Sequence, residues 1–233
     1  MIDHERDLAH VREATERLLT SAASLDNAAV AGPSRLPGWT RGHVLAHVAR
    51  NADALVNVLR GRPMYPDATT RDLDIERDAG RPPAVHLADL RETADRFRAV
   101  GAEPADWSRR VELRNGVTDS ASRVPFRRWV EVELHHVDLD LGYELEDLPE
   151  EFVTREIDFL ADRWSGRPDV PPVTLRLGHG EDAPSRRTGG TEGTPVVLAG
   201  TGAELLGWLA GRGDKGAHLV VLSGDGVPEL PAL

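Results

Sequence analysis

Within RRWVEVELHHVDLDLGY, Glu131 and His135 stand four residues apart in a stretch whose apolar residues recur at helical spacing. At about 3.6 residues per turn, a carboxylate and an imidazole so placed share one helix face, one turn apart. Such a pair can hold a cation. A second stretch, GHVLAHVARNADALVNVL, carries His47 among Val44, Val48, Ala52 and Leu55, which points its ring toward an apolar interior. Two facing helices delivering these residues would give three ligands and an open position, the arrangement of catalytic zinc. The same donors also suit iron, manganese or nickel. Spacing alone leaves the set open, because His43 shares the face of His47, and Glu133 and His136 adjoin the other pair. An interior histidine is also readable as a hydrogen-bonded core residue. Arg212 sits between two glycines in WLAGRG. It is either a clamp for a carboxylate or enolate or a solvated arginine beside a helix C-cap.

The elements that must position these residues follow from periodicity. Leu8, Val11, Leu18, Leu19 and Leu25 predict a first helix from residue 3 to about 28, and AGPSRLPGW then breaks the chain before Thr40, a good N-cap. The His47 helix runs from about Thr40 to Leu59. GRPMYPDATTRDLDIERDAGRPP reads as an irregular connection, too rich in proline and glycine for one element, and a connection of that length is often functional. Leu87, Leu90, Ala94, Phe97 and Val100 mark a third helix, Pro125 to about Leu141 a fourth, and Leu148 onward a fifth. The tryptophans, including Trp39, Trp129 and Trp164, read as core. Beyond SGRPDVPP the pattern turns to short strands, VTLRLG, TPVVLAG and HLVVLSG, around a helix AELLGWLAG. The expected fold is α+β in two domains: a metal-binding helical bundle over 1–165 and a smaller α+β unit over 166–233.

Composition narrows the chemistry. With 40% hydrophobic and 29% charged residues, the 233-residue chain is an ordinary globular one. Its formal net charge of -11, with both signs interspersed, argues against nucleic acid as a partner. No apolar run approaches the roughly 18 to 20 residues that span a bilayer, and the charged N-terminus has no signal-peptide core. The expectation is a cytosolic protein acting on small molecules. The chain has no cysteine. Disulfides and a protein thiolate nucleophile are excluded, and a zinc site must use histidine and carboxylate.

LPGWTRGHVLAHVARNADAL, PMYPDATTRDLDIERDAG, RRWVEVELHHVDLDLGY and LLGWLAGRG, in that order, resemble the mycothiol-dependent maleylpyruvate isomerases. These lie within the wider superfamily of DinB-like metal-binding helical bundles. The resemblance implies a zinc site on His47, Glu131 and His135, a catalytic role for Arg212, mycothiol as cofactor and a place in gentisate degradation. It implies a cis-trans isomerase converting maleylpyruvate to fumarylpyruvate. Superfamily members share the metal site while acting on different substrates, so a mycothiol S-transferase and a non-catalytic metal or small-ligand binder are the alternatives.

Overall fold

Local caps set where the helices begin. Asp3 accepts from the Arg6 amide ahead of α1 (His4–Ala22), and Asp26 accepts from Ala29 ahead of α2 (Asn27–Ala31). Thr40 forms a capping box with His43 at the start of α3 (Arg41–Leu59). In the computed structural model, which describes residues 3–67, 69–103, 105–180 and 182–231, four more elements complete the first unit before its last helix. These are α4 (Thr70–Ala79), α5 (Pro83–Gly101) and a hairpin of β1 (Arg110–Glu112) with β2 (Thr118–Ser120). The last helix is α6 (Val124–Asp138). Helices α1, α3, α5 and α6 pack as a bundle, with α4 against α3. Leu18, Leu45, Leu55, Leu90, Phe97 and Trp129 fill its core. Each such side chain contributes about 1.5–3 kcal/mol by leaving water.

The chain divides into two compact units, residues 1–143 and 144–233. The boundary expected near residue 166 therefore falls about twenty residues earlier, and α7 (Glu150–Trp164) belongs to the second unit. The reason is its buried face. Phe152, Ile157, Leu160 and Trp164 lie on the helix side that packs on α8 (Gly202–Ala210) and on β4 (Ser185–Thr188). Polar ties agree: the Thr188 hydroxyl donates to the Ala161 carbonyl at 2.7 Å, and Arg186 pairs with Asp162 at 3.0 Å. With β3 (Val173–Leu177), β5 (Val196–Gly200) and β6 (Val220–Ser223), β4 makes a four-stranded sheet ordered β4-β3-β5-β6. Only the β3–β5 pair in it is parallel. The α+β class is as expected. Among the described residues no helix is long and apolar enough to cross a membrane.

Three expectations change. The first helix ends at Ala22, because Asp26 caps a separate short helix. The connection after α3 contains α4, since its prolines and glycines flank Thr70–Ala79 and leave that stretch clear, with Ile75 and Ala79 buried. The hairpin and β4 went unforeseen, being three- or four-residue strands without apolar alternation.

Gly42 fixes the approach of α4 to α3. A Cβ built there would lie 2.0 Å from the backbone oxygen of Ala79, so alanine cannot be accommodated without moving α4. Gly42→Ala is expected to destabilise the protein by about 1–3 kcal/mol through overpacking. Urea unfolding measures this, and an unchanged midpoint would show that the contact is not tight.

Candidate metal centre

Helices α3 and α6 are pinned together by Arg128. This buried guanidinium donates to the Val48 carbonyl at 2.8 Å and to Asn51 Oδ1 at 2.9 Å. Burial lowers its pKa to about 10, opposed by the charge of Glu131, so it stays protonated at neutral pH. Glu131 lies three residues beyond Arg128 on α6, and His47 directly precedes Val48 on α3. The pin therefore sets these two side chains face to face.

They meet at one oxygen. Glu131 Oε2 is 2.9 Å from His47 Nε2 and 3.3 Å from His135 Nε2. The three ligand atoms all lie within 4.8 Å of one another. Donors about 2.0–2.1 Å from a tetrahedral zinc are roughly 3.3 Å apart, and both separations from Glu131 Oε2 lie within a few tenths of an ångström of that value. His47 is buried, whereas about a third of the Glu131 side chain, 32%, reaches solvent, which provides an entry side.

The histidines are held differently. His135 Nδ1 is 2.8 Å from Asp138 Oδ2, so the ring lies between two carboxylates. Burial pushes its pKa down, but the bonds to Asp138 and Glu131 outweigh burial and raise it above the ordinary value. His47 has a cation on its outer side, where Arg71 approaches Nδ1 at 3.4 Å. Burial first, then the charge of His135, lowers the His47 pKa to about 4. Burial works to raise the Glu131 pKa, but bonds from His135 and His47 hold it well below the usual carboxylate range. The set thus holds an ionised carboxylate, a His47 ring kept neutral at neutral pH and a His135 ring on which positive charge is favoured.

The other candidates have separate structural roles. His43 closes the α3 cap with Thr40, and its Nε2 faces Glu76 at 3.2 Å. His136 meets the Ser21 hydroxyl at 2.8 Å and stacks on Tyr143. Glu133 accepts from Arg17, Trp129 and Tyr143. Asp138, Arg71 and Tyr65 escaped notice in the sequence. Asp138 was findable, since it follows His135 by three residues on the same helix; Arg71 and Tyr65 lie in a connection whose helix was not seen. The core reading of Trp39 is corrected. This ring is only partly buried, and it stands 5.6 Å from the His47 ring with Arg71 against it at 5.9 Å. Trp129 and Trp164 are fully buried, as expected.

In the second unit, Gly211 closes α8 in the left-handed conformation, with φ 67°. Arg212 follows it half-buried, and its guanidinium donates to the Ala210 carbonyl at 2.8 Å.

Residues 11–140 match the family described as the mycothiol maleylpyruvate isomerase N-terminal domain, and residues 147–232 match its C-terminal domain. Among solved structures, the chain is similar to a mycothiol-dependent maleylpyruvate isomerase. The sequences are 26% identical, covering 99% of this chain and 97% of that one, with a TM-score of 0.85. A histidine-to-alanine mutant of a protein with the same description gives 27% identity, the same coverages and a TM-score of 0.86. Among curated proteins no sequence matches significantly.

The donor set leads to two expectations. One divalent ion should bind per chain, and His47→Ala, Glu131→Ala or His135→Ala should weaken it by more than about 100-fold, since even outer partners of ligands are worth about 10- to 100-fold. Elemental analysis after dialysis against a weak chelator measures this, and full occupancy in the variants would remove the site. The second concerns pH. A metal replaces the proton on His135 Nε2, which is retained up to a raised pKa. Affinity should therefore climb with pH below that raised pKa, by up to about tenfold per unit, and level off above it. Calorimetry in buffers of different ionisation enthalpy should count a proton released on binding at pH 6, below the raised pKa; zero there would contradict the favoured charge on His135.

Proposed function

The chain belongs to the mycothiol maleylpyruvate isomerase family, and on that premise we propose that it converts maleylpyruvate to fumarylpyruvate with mycothiol as cofactor and zinc as its metal. The observation that carries this reading is the likeness to solved isomerases along 99% of the chain.

The chemistry requires a carbon-carbon double bond to lose its double-bond character for a moment. A thiolate supplies this by adding to the conjugated enone: the carbon-sulfur bond forms as the π electrons move to the carbonyl oxygen. The resulting enolate has a rotatable single bond. Collapse of the enolate expels the thiolate and restores the alkene in the trans form. The chain has no cysteine, so the sulfur has to come from the cofactor.

In this reading His47, Glu131 and His135 hold the metal, which when bound would keep a thiol deprotonated at neutral pH. Asp138 accepts a hydrogen bond from the Nδ1–H of His135 and leaves Nε2 directed at Glu131. Arg71 keeps positive charge beside His47 and disfavours its protonation. Arg212 is assigned to a substrate carboxylate or the developing enolate oxygen, a role supported by its match to the family's arginine.

The metal-loaded protein alone should show negligible isomerisation, and mycothiol should restore turnover without changing substrate mass. Mass spectrometry of one incubation decides this: a stable thiol adduct would indicate an S-transferase, and rapid isomerisation in thiol-free buffer would refute the mechanism. Arg212→Ala should retain metal and folding while losing roughly 30- to 1000-fold in kcat/KM, the worth of one charged contact made in the transition state. Wild-type turnover would return Arg212 to a role beside the helix cap.

A further inference from the structure

The first unit contains a half-open cavity of about 700 Å³, between the end of α3 and the β1–β2 hairpin. That volume suits a small organic ligand. Four arginines line it, Arg62, Arg109, Arg110 and Arg114. Two have structural work: Arg109 donates to the Leu59 carbonyl, and Arg110 donates to the Thr118 hydroxyl at 2.5 Å. Neither Arg62 nor Arg114 forms an ion pair with a carboxylate among the described residues. Of the acids on the wall, Glu112 and Asp67, the second is already engaged by the Thr69 and Thr70 amides and the Thr69 hydroxyl. The wall is cationic in balance.

One residue of the cavity wall is linked electrostatically to the metal centre. Tyr65 lines it, and the Tyr65 phenol feels the charges of Arg71, Glu131 and Arg114. Arg71 in turn touches His47.

We infer that this cavity binds a small organic anion, with Arg62 and Arg114 gripping its carboxylate. Guanidinium groups suit a planar carboxylate through paired hydrogen bonds. That the anion is the isomerase substrate rests on the proposed function; the existence of the site does not.

Maleate is the probe, with neutral myo-inositol standing for the polyol part of a thiol cofactor. Both are titrated by NMR into the full-length, metal-loaded protein. Maleate should shift the amides of Tyr65, Asn115 and Gly116. The double variant Arg62→Gln/Arg114→Gln should weaken that binding at least about tenfold, a loss of about 1.4 kcal/mol. Arg98→Gln, an exposed residue on α5 paired with Asp95, should leave it unchanged. Absence of maleate binding, equal binding by the double variant, or equally large shifts with inositol would each overturn the proposal. In turnover, the double variant should raise KM at least about tenfold while kcat stays within about threefold. A wild-type protein that binds maleate through these arginines but does not isomerise would remove the isomerase reading and leave the anion site standing. Turnover with unchanged KM in the double variant would do the reverse.

Discussion

A single carboxylate oxygen, Glu131 Oε2, shared between two imidazole nitrogens is the interaction on which the first unit's chemistry depends. Burying a carboxylate is costly unless its lone pairs are satisfied, and here the two Nε2 atoms satisfy them. What occupies the space between these atoms, a proton or an ion, is therefore a competition. A metal would gain from a carboxylate already held between two imidazoles, and it would compete with the charge favoured on His135. The low Glu131 pKa has the same origin.

The two histidines are deliberately unlike in surroundings. His135 has Asp138 behind it, a carboxylate that fixes the tautomer and favours positive charge. His47 has Arg71 behind it and Trp39 beside it, so positive charge is disfavoured. Positive charge is thus favoured on one ring, while burial and the neighbouring His135 charge, with Arg71 adding to them, disfavour it on the other. The short α4 helix supplies Arg71. Its own position rests on Gly42, the residue that lets it lie close against α3.

The second unit shows how a helix follows its apolar face and not its neighbours in sequence. α7 comes soon after α6, but its large buried side chains complete a layer over α8 and β4. The family domains fall on either side of residues 141–146, in keeping with this division.

The four-residue interval between Glu131 and His135 and the apolar company of His47 depend on helical geometry, and the sequence by itself determined both. The same holds for the Thr40 cap, the absence of a protein thiol and the change from helical to strand patterning after residue 165. Family resemblance singled out His47 from His43, a choice that spacing left open. Only the tertiary structure decided that His47 and Glu131 meet, because that depends on Arg128 pinning α3 to α6 across an interval of about eighty residues. It also decided that Trp39 stands beside the centre, that Arg71 lies behind His47 and that α7 leaves the bundle. Each is a contact between segments far apart in the chain, set by packing and by the solvation of buried charge, and no local periodicity encodes such contacts.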